Sequence, residues 1–224
     1  ERFNEKYAGC LESDVIIVGA GPSGLVAADV LAGSGLKAVV VERKLSTGGG
    51  IWGGGMMMSE VVIQQEAREC VEKAGVRLKE YSAGLFTCDS VELAAGLTFR
   101  ALQSGACILN MHHVEDVILY DNKVSGVVVN RTNITGVYHI DPLMFVSRAV
   151  IDATGHDAIV AGHLQRRGII DAEMSDGPMN ASAGEAFVVE KTGRVFPGLY
   201  LSGMSVCAVY GGPRMGPIFG GMLL

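Results

Sequence analysis

The chain has 224 residues, 49% of them hydrophobic, and its 18 basic and 24 acidic side chains leave a formal charge of −6. That composition can bury a sizeable core in one domain, and with no run of Lys or Arg it lacks the clustered positive charge that nucleic-acid phosphates require. Its 31 glycines come with only 6 prolines and no three-residue period, which excludes collagen-like and low-complexity chains and places the glycines at turns and close backbone approaches.

Residues 1–14 are polar and mixed in charge, unlike a secretory leader. The apolar run 14–18 (DVIIV) reads as a buried parallel strand. A helix packed on the sheet follows from Pro22 to about Ala32, Gly33-Ser-Gly35 ends it, and residues 38–41 form a second buried strand finishing on Glu42. Residues 46–58, with six glycines and three consecutive methionines, show neither period and are expected to be a loop. Ser59 then reads as the N-cap of a helix with Ile63, Ala67, Cys70, Val71 and Ala74 on its apolar face and Gly75 as its stop. Asp89 and Glu92 suggest a capping box for a helix ending near Gly105, and residues 106–109 a further strand. A hairpin is expected at 117–120 and 124–129 around Asp121-Asn122, a buried strand at 145–153, and two short strands at 188–194 and 199–201.

The polar stretch 171–184 is the candidate for a mobile lid or disordered segment. The uncharged stretch 195–213 is about long enough to cross a bilayer, but it carries Pro197, Pro213 and several glycines, so no membrane association is expected. The fold class that emerges is α/β: one Rossmann-like dinucleotide-binding domain with a β-meander inserted around residues 112–150. Cys10, Cys70, Cys88, Cys107 and Cys207 are odd in number and widely spaced. They read as buried thiols of a reducing, cytoplasmic compartment, not as a disulfide framework or zinc site.

Gly19-Ala-Gly21-Pro-Ser-Gly24 matches the dinucleotide fingerprint, and its context between a strand and a helix, with Glu42 about twenty residues on, makes the match specific. Gly19 makes the tight turn, Gly21 lets a pyrophosphate approach, Gly24 lets the helix sit close to the sheet, and Glu42 is expected to accept from ribose hydroxyls. Further along, His139 and Asp141 project to one side of an extended segment, and His156 lies at the end of a strand, where open α/β folds bind ligands. An imidazole with a carboxylate suits Fe(II) or another divalent metal, and equally a hydrogen-bonded polar pair. His112-His113-Val-Glu-Asp116 holds more ligating types, but adjacent histidines on an extended segment face opposite ways, which favours a polar strand terminus. Arg214, in a glycine-dense turn, is suited to bidentate capture of a carboxylate or phosphate.

Residues 150–155 (VIDATG) and 197–203 (PGLYLSG), taken with the fingerprint, resemble the two-dinucleotide-binding-domain flavoproteins. Those proteins follow the late strand with Gly-Asp, whereas this chain has Gly203-Met204, so an ADP-containing ligand is favoured over FAD. An FAD-dependent oxidoreductase and a non-catalytic dinucleotide sensor remain the alternatives.

The assembled motifs resemble one family, the Thi4 thiazole synthases of thiamine biosynthesis. They are the fingerprint, Glu42-Arg43, the GGGIWGGGMM loop from Gly48, His139-Ile-Asp-Pro142, Ala153-Thr-Gly-His-Asp157 and Pro213-Arg-Met-Gly-Pro217, and the likeness runs from about residue 12 to 224. The resemblance implies synthesis of an adenylated thiazole carboxylate from NAD, glycine and sulfur with Fe(II). Ser23, Glu42, Arg43, Gly50 and the backbone at Val114 would hold the ADP half, and His139, Ile140, Asp141 and Met204 would line the reacting ribose. Asp141 and His156 would ligate iron in a site shared between protomers of a homo-octamer, and Arg214 would bind the glycine carboxylate. Members that give up their own sulfur carry a cysteine two residues before the Asp-Pro pair. His139 stands there, which implies the archaeal and bacterial type that takes sulfide and turns over repeatedly; a single-turnover synthase, with Cys207 the cysteine nearest the site motifs, is the alternative. The resemblance further implies a helix continuing after residue 224.

Overall fold

A computed structural model describes residues 1–54, 57–134 and 140–224. The chain opens with α1 (Arg2–Gly9) and then forms the βαβ unit β1 (Glu12–Val18), α2 (Pro22–Gly33) and β2 (Ala38–Glu42). Period-two alternation with both faces buried explains the unbroken apolar runs. Val15, Ile17, Ala38 and Val40 enter one core, while Ile16, Val18, Val39 and Val41 enter the other.

Next come β3 (Glu60–Gln64), α3 (Arg68–Lys73), β4 (Lys79–Ser82), β5 (Leu85–Asp89) and α4 (Ser90–Gln103). The single helix expected from Ser59 is therefore a strand followed by a short helix. The β-branched run at Val61, Val62 and Ile63 pairs antiparallel with Cys88, Thr87 and Phe86, a tertiary partner that outweighs the local helical spacing. Ile63, Ala67 and Val71 still reach one core because the chain turns between the two elements. The capping box is half made. The Asp89 carboxylate accepts from Glu92 N at 2.8 Å, but the Glu92 side chain pairs with Arg77 instead.

The chain continues through β6 (Cys107–Asn110), β7 (His112–Tyr120), β8 (Lys123–Arg131), β9 (Leu143–Asp152) and α5 (Ile159–Gln165). The β7–β8 hairpin turns at Asp121 and Asn122, whose φ angles of 49° and 56° fit a two-residue primed turn. The last elements are β10 (Gly177–Met179), α6 (Ala181–Lys191), β11 (Gly193–Phe196), β12 (Leu199–Leu201), α7 (Met204–Tyr210) and β13 (Pro213–Arg214). The strand expected at 188–194 is the end of α6 and the start of β11. Asn180 caps that helix by accepting from Ala183 N at 3.3 Å, a start signal that carries it through Val188 and Val189 despite their β-branching. The polar stretch 171–184 is likewise partly regular, since β10 pairs with β13 and α6 begins within it.

In the main sheet the order is β11-β12-β9-β1-β2-β6, and the five strands from β12 to β6 run parallel. The first half of β9 pairs with β8 and its second half with β12. The order in which strands are added reverses about β1, with β2 on one side and β9 on the other, which opens a crevice at the carboxyl ends of these strands. No helix among the described residues is long and apolar enough to cross a membrane.

Candidate functional site

That crevice is a cavity of about 830 Å³, within the range of small-molecule sites. Its floor is the fingerprint turn. Gly19 has φ +102°, and a Cβ there would run into the Ala153 carbonyl, while a Cβ at Gly24 would strike the Gly19 carbonyl. Around Gly21 a Cβ would meet nothing within 4 Å, so a ligand can approach this backbone at the start of α2. The glycine-rich loop lies against the turn, with Gly48 N donating to the Ala20 carbonyl at 2.7 Å.

Glu42, 5% exposed at the end of β2, anchors the turn. Its Oε2 accepts from Ala20 N and its Oε1 from Lys44 N, both at 2.7 Å. The sequence pointed to ribose as its partner; the structure gives it two backbone amides, with further lone pairs facing the cavity it lines. Ser23, Arg43, Gly50, Val114, Met204, His156 and Arg214 line the same cavity. Arg43 and Asp157 form an ion pair of 2.8 Å at its rim. Arg214 makes no ion pair with any described residue. It is held by its backbone, which pairs with Met179 and accepts from Asn180 N at 3.1 Å.

His156 sits in a short 3-10 turn, Gly155–Asp157, just beyond β9. Its Nδ1 lies 2.5 Å from Asp176 Oδ2, with Asp176 only 14% exposed. An Nδ1–H held by this carboxylate leaves Nε2 with its lone pair outward. Asp176 Oδ1 is buried with no hydrogen-bond partner among the described residues. Behind the turn, fully buried Asp152 accepts from Thr154 N at 3.1 Å, Thr154 Oγ1 at 2.7 Å, and Val160 N and Ala161 N at 2.9 Å each. Gly155 N in turn donates to Ser205 Oγ at 3.1 Å. Asp152 and Asp176 are the residues that sequence reasoning missed. Asp152 stood in the quoted VIDATG motif, whereas no spacing marks Asp176, twenty residues from its partner in a polar stretch.

His139 lies outside the described residues. Ile140 and Asp141 are exposed and do not line the cavity, so the chain by itself does not bring Asp141 into it. Asp141 bonds to no described residue, and no group of three or more metal-ligating side chains occurs among the described residues. His112 and His113, expected to face opposite ways, both line the cavity but take different partners: His112 Nδ1 meets the Asn110 carbonyl at 2.7 Å, and His113 Nε2 lies 3.4 Å from Glu115. Cys207 is fully buried, donates to the Pro213 carbonyl at 3.2 Å, and burial pushes its thiol up to about 11.

The chain resembles the thiamine thiazole synthase of Pyrococcus abyssi at 50% identity, covering 100% of the chain and 89% of that protein. It resembles the thiamine thiazole synthase of Thermotoga maritima at 47% identity, over 100% and 89%. The crystal structure of Thermovibrio ammonificans THI4 superposes with a TM-score of 0.96 at 42% identity, covering 99% of this chain and 88% of that one. The FAD-dependent halogenase CndH matches with a TM-score of 0.52 at 18% identity, covering 68% of this chain and 39% of its own, a likeness of fold alone. The Thi4 family model matches residues 1–219, and with the dinucleotide turn, the glycine-rich loop and the Arg214 turn all on one cavity, the chain belongs to the Thi4 family.

Proposed function

We propose that this chain is a thiazole synthase that converts NAD, glycine and sulfide, with Fe(II), into an adenylated thiazole carboxylate for thiamine biosynthesis. The observation that carries this reading is Arg214. An arginine without an ion pair among the described residues, in the same cavity as a dinucleotide turn and His156, calls for a small anionic co-substrate beside the nucleotide.

The amides at the start of α2 and the open space over Gly21 take the NAD pyrophosphate. Glu42 accepts from the adenosine ribose with its remaining lone pairs, and Ser23, Arg43, Gly50 and the backbone at Val114 hold the rest of the ADP half. Loss of nicotinamide lets the exposed ribose open and isomerise to a ketone beside Met204, with the segment 139–141, whose Ile140 and Asp141 lie off this cavity, reaching it from a neighbouring protomer. Arg214 holds the glycine carboxylate bidentately, which leaves the amine free to condense with that ketone and release water. The imidazole of His139 has no sulfur to give but moves protons near neutral pH.

Asp141 and His156 fit Fe(II) by donor type, since this ion takes imidazole nitrogen and carboxylate oxygen. Asp176 fixes the Nδ1–H tautomer of His156 so that Nε2 is the donor. Asp141 lies off the cavity and is free of partners among the described residues, which suits donation into a neighbouring protomer's site in a homo-octamer. When bound, the ion supplies Lewis-acid polarisation of the condensing groups. Burial and protonation of Cys207 support sulfide over this thiol as the sulfur source.

The test is anaerobic incubation of the purified protein with NAD, glycine, sulfide and Fe(II), with mass analysis of the small molecules. An adenylated thiazole that disappears when any one component is omitted is expected. No such product, or a stoichiometric yellow flavin on the purified protein, contradicts the proposal.

A further inference from the structure

We propose that Cys10 and Cys107 are a disulfide-forming pair, a modification site oxidised by low-molecular-weight disulfides and bridging the N-terminal helix to the edge of the main sheet. Their sulfurs lie 2.9 Å apart, and all five cysteines are free thiols. A disulfide bond spans about 2.05 Å, so closure from the 2.9 Å contact needs a movement of about 0.9 Å.

Both backbones stand where such a movement is easy. Cys10 is the residue that ends α1. Cys107 opens β6, an edge strand paired only with β2 through Val39. Lys6 Nζ already ties the helix to this strand by donating to the Ile108 carbonyl at 3.1 Å. Because α1 buries none of its own residues fully, few contacts hold it. The main one is Tyr7, whose ring lies 5.4 Å from that of His112 and 5.8 Å from that of Phe145. His112 lines the cavity, so the bridge would fix the helix that backs this wall.

The two thiols differ in a way that orders the chemistry. The hydrogen bond shared by the two sulfurs, in which either can donate, lowers the Cys107 thiol, with Lys6 and Lys37 adding to this against burial. The bond to Cys107 and burial raise Cys10. Cys107 is also the more accessible of the two, Cys10 being 2% exposed. The Cys107 thiolate therefore attacks one sulfur of the oxidant RSSR, forming a mixed disulfide and releasing RS⁻. Cys10 then gives up its proton, attacks Cys107 Sγ and expels the second RS⁻. The protein loses two electrons and two protons, and RSSR becomes two RSH.

The experiment uses fully reduced protein and glutathione disulfide, read by intact mass, peptide mapping and thermal unfolding. The expected product is one intrachain Cys10–Cys107 link, a mass lower by two hydrogens, and a Tm raised by roughly 10 °C. Cys10→Ser is expected to stop at a glutathione adduct on Cys107, and Cys107→Ser to leave Cys10 unmodified. A wild-type protein that keeps all its thiols, stops at a mixed disulfide or links between chains overturns the proposal. The wild-type measurement stands even where a serine variant fails to fold. None of these outcomes depends on the reaction proposed for the cavity.

Discussion

Replacement of Glu42 by Gln tests whether this carboxylate organises the nucleotide turn. The side chain keeps its shape, but its single carbonyl oxygen can serve only one of the two amides, Ala20 N and Lys44 N, that now share the carboxylate at 2.7 Å each. The other amide loses its acceptor and faces an NH₂ group. A buried hydrogen bond to a charged group contributes about 1.5–3 kcal/mol. The predicted loss is therefore about 2–3 kcal/mol, or a Tm lower by roughly 5–10 °C in a domain of this size. ADP should bind at least about tenfold more weakly, since tenfold corresponds to only ~1.4 kcal/mol and the distorted turn also meets the phosphates. Urea unfolding followed by circular dichroism and titration calorimetry with ADP measure the two effects. Stability within about 0.5 kcal/mol of wild type, with unchanged ADP affinity, would refute the role given to Glu42.

Other consequences are equally direct. Asp176→Asn should weaken anaerobic Fe(II) binding by about 10–100-fold while thermal unfolding barely changes; wild-type iron affinity would mean that Asp176 does not orient His156. Arg214→Met should raise the KM for glycine by roughly thirtyfold or more and leave ADP binding within twofold; equal losses in both would make Arg214 a structural residue. Glu185, buried in α6 and accepting from Gly221 N, has its carboxyl pushed up from the ordinary 4.5 by burial. The folded state thus holds this proton more tightly than the unfolded state, and the stability it gives below about pH 4.5 is lost as pH rises through the folded value. Glu185→Gln should flatten that dependence and be the more stable protein at pH 8, as urea midpoints at pH 5 and pH 8 would show; parallel pH profiles would count against it. Cys207→Ser should retain thiazole synthesis, and its loss would reopen the question of a protein sulfur donor.

Much of the nucleotide half is legible in the sequence because both faces of β1 and β2 are buried, which turns a strand into an unbroken apolar run bounded by glycines. Where strand and helix share an apolar residue set, the spacing misleads. Ile63, Ala67 and Val71 keep helical intervals, yet only the pairing of β3 with β5 decides the conformation. In α6 the cue was Asn180, a single polar cap outweighed by the strand-like run at Val188 and Val189. The cavity brings together eight of the eleven residues that the family resemblance implies for the site: Ser23, Glu42, Arg43, Gly50, Val114, His156, Met204 and Arg214. Asp141 shows the limit of one chain: it is free of partners among the described residues and lies off the cavity, and no intrachain pattern reveals what meets it. Asp176 shows a second limit, since a hydrogen bond formed by folding a polar stretch back over twenty residues leaves no periodic trace.

In the proposed reaction, sulfur enters from solution and the protein survives each turnover. Anaerobic reaction with NAD, glycine, Fe(II) and heavy-isotope sulfide, with mass analysis of product and polypeptide, tests it most directly. More than one heavy-sulfur thiazole per protomer and an unchanged protein mass are expected. A single unlabelled thiazole per protomer, matched by loss of one sulfur from the polypeptide, would contradict it.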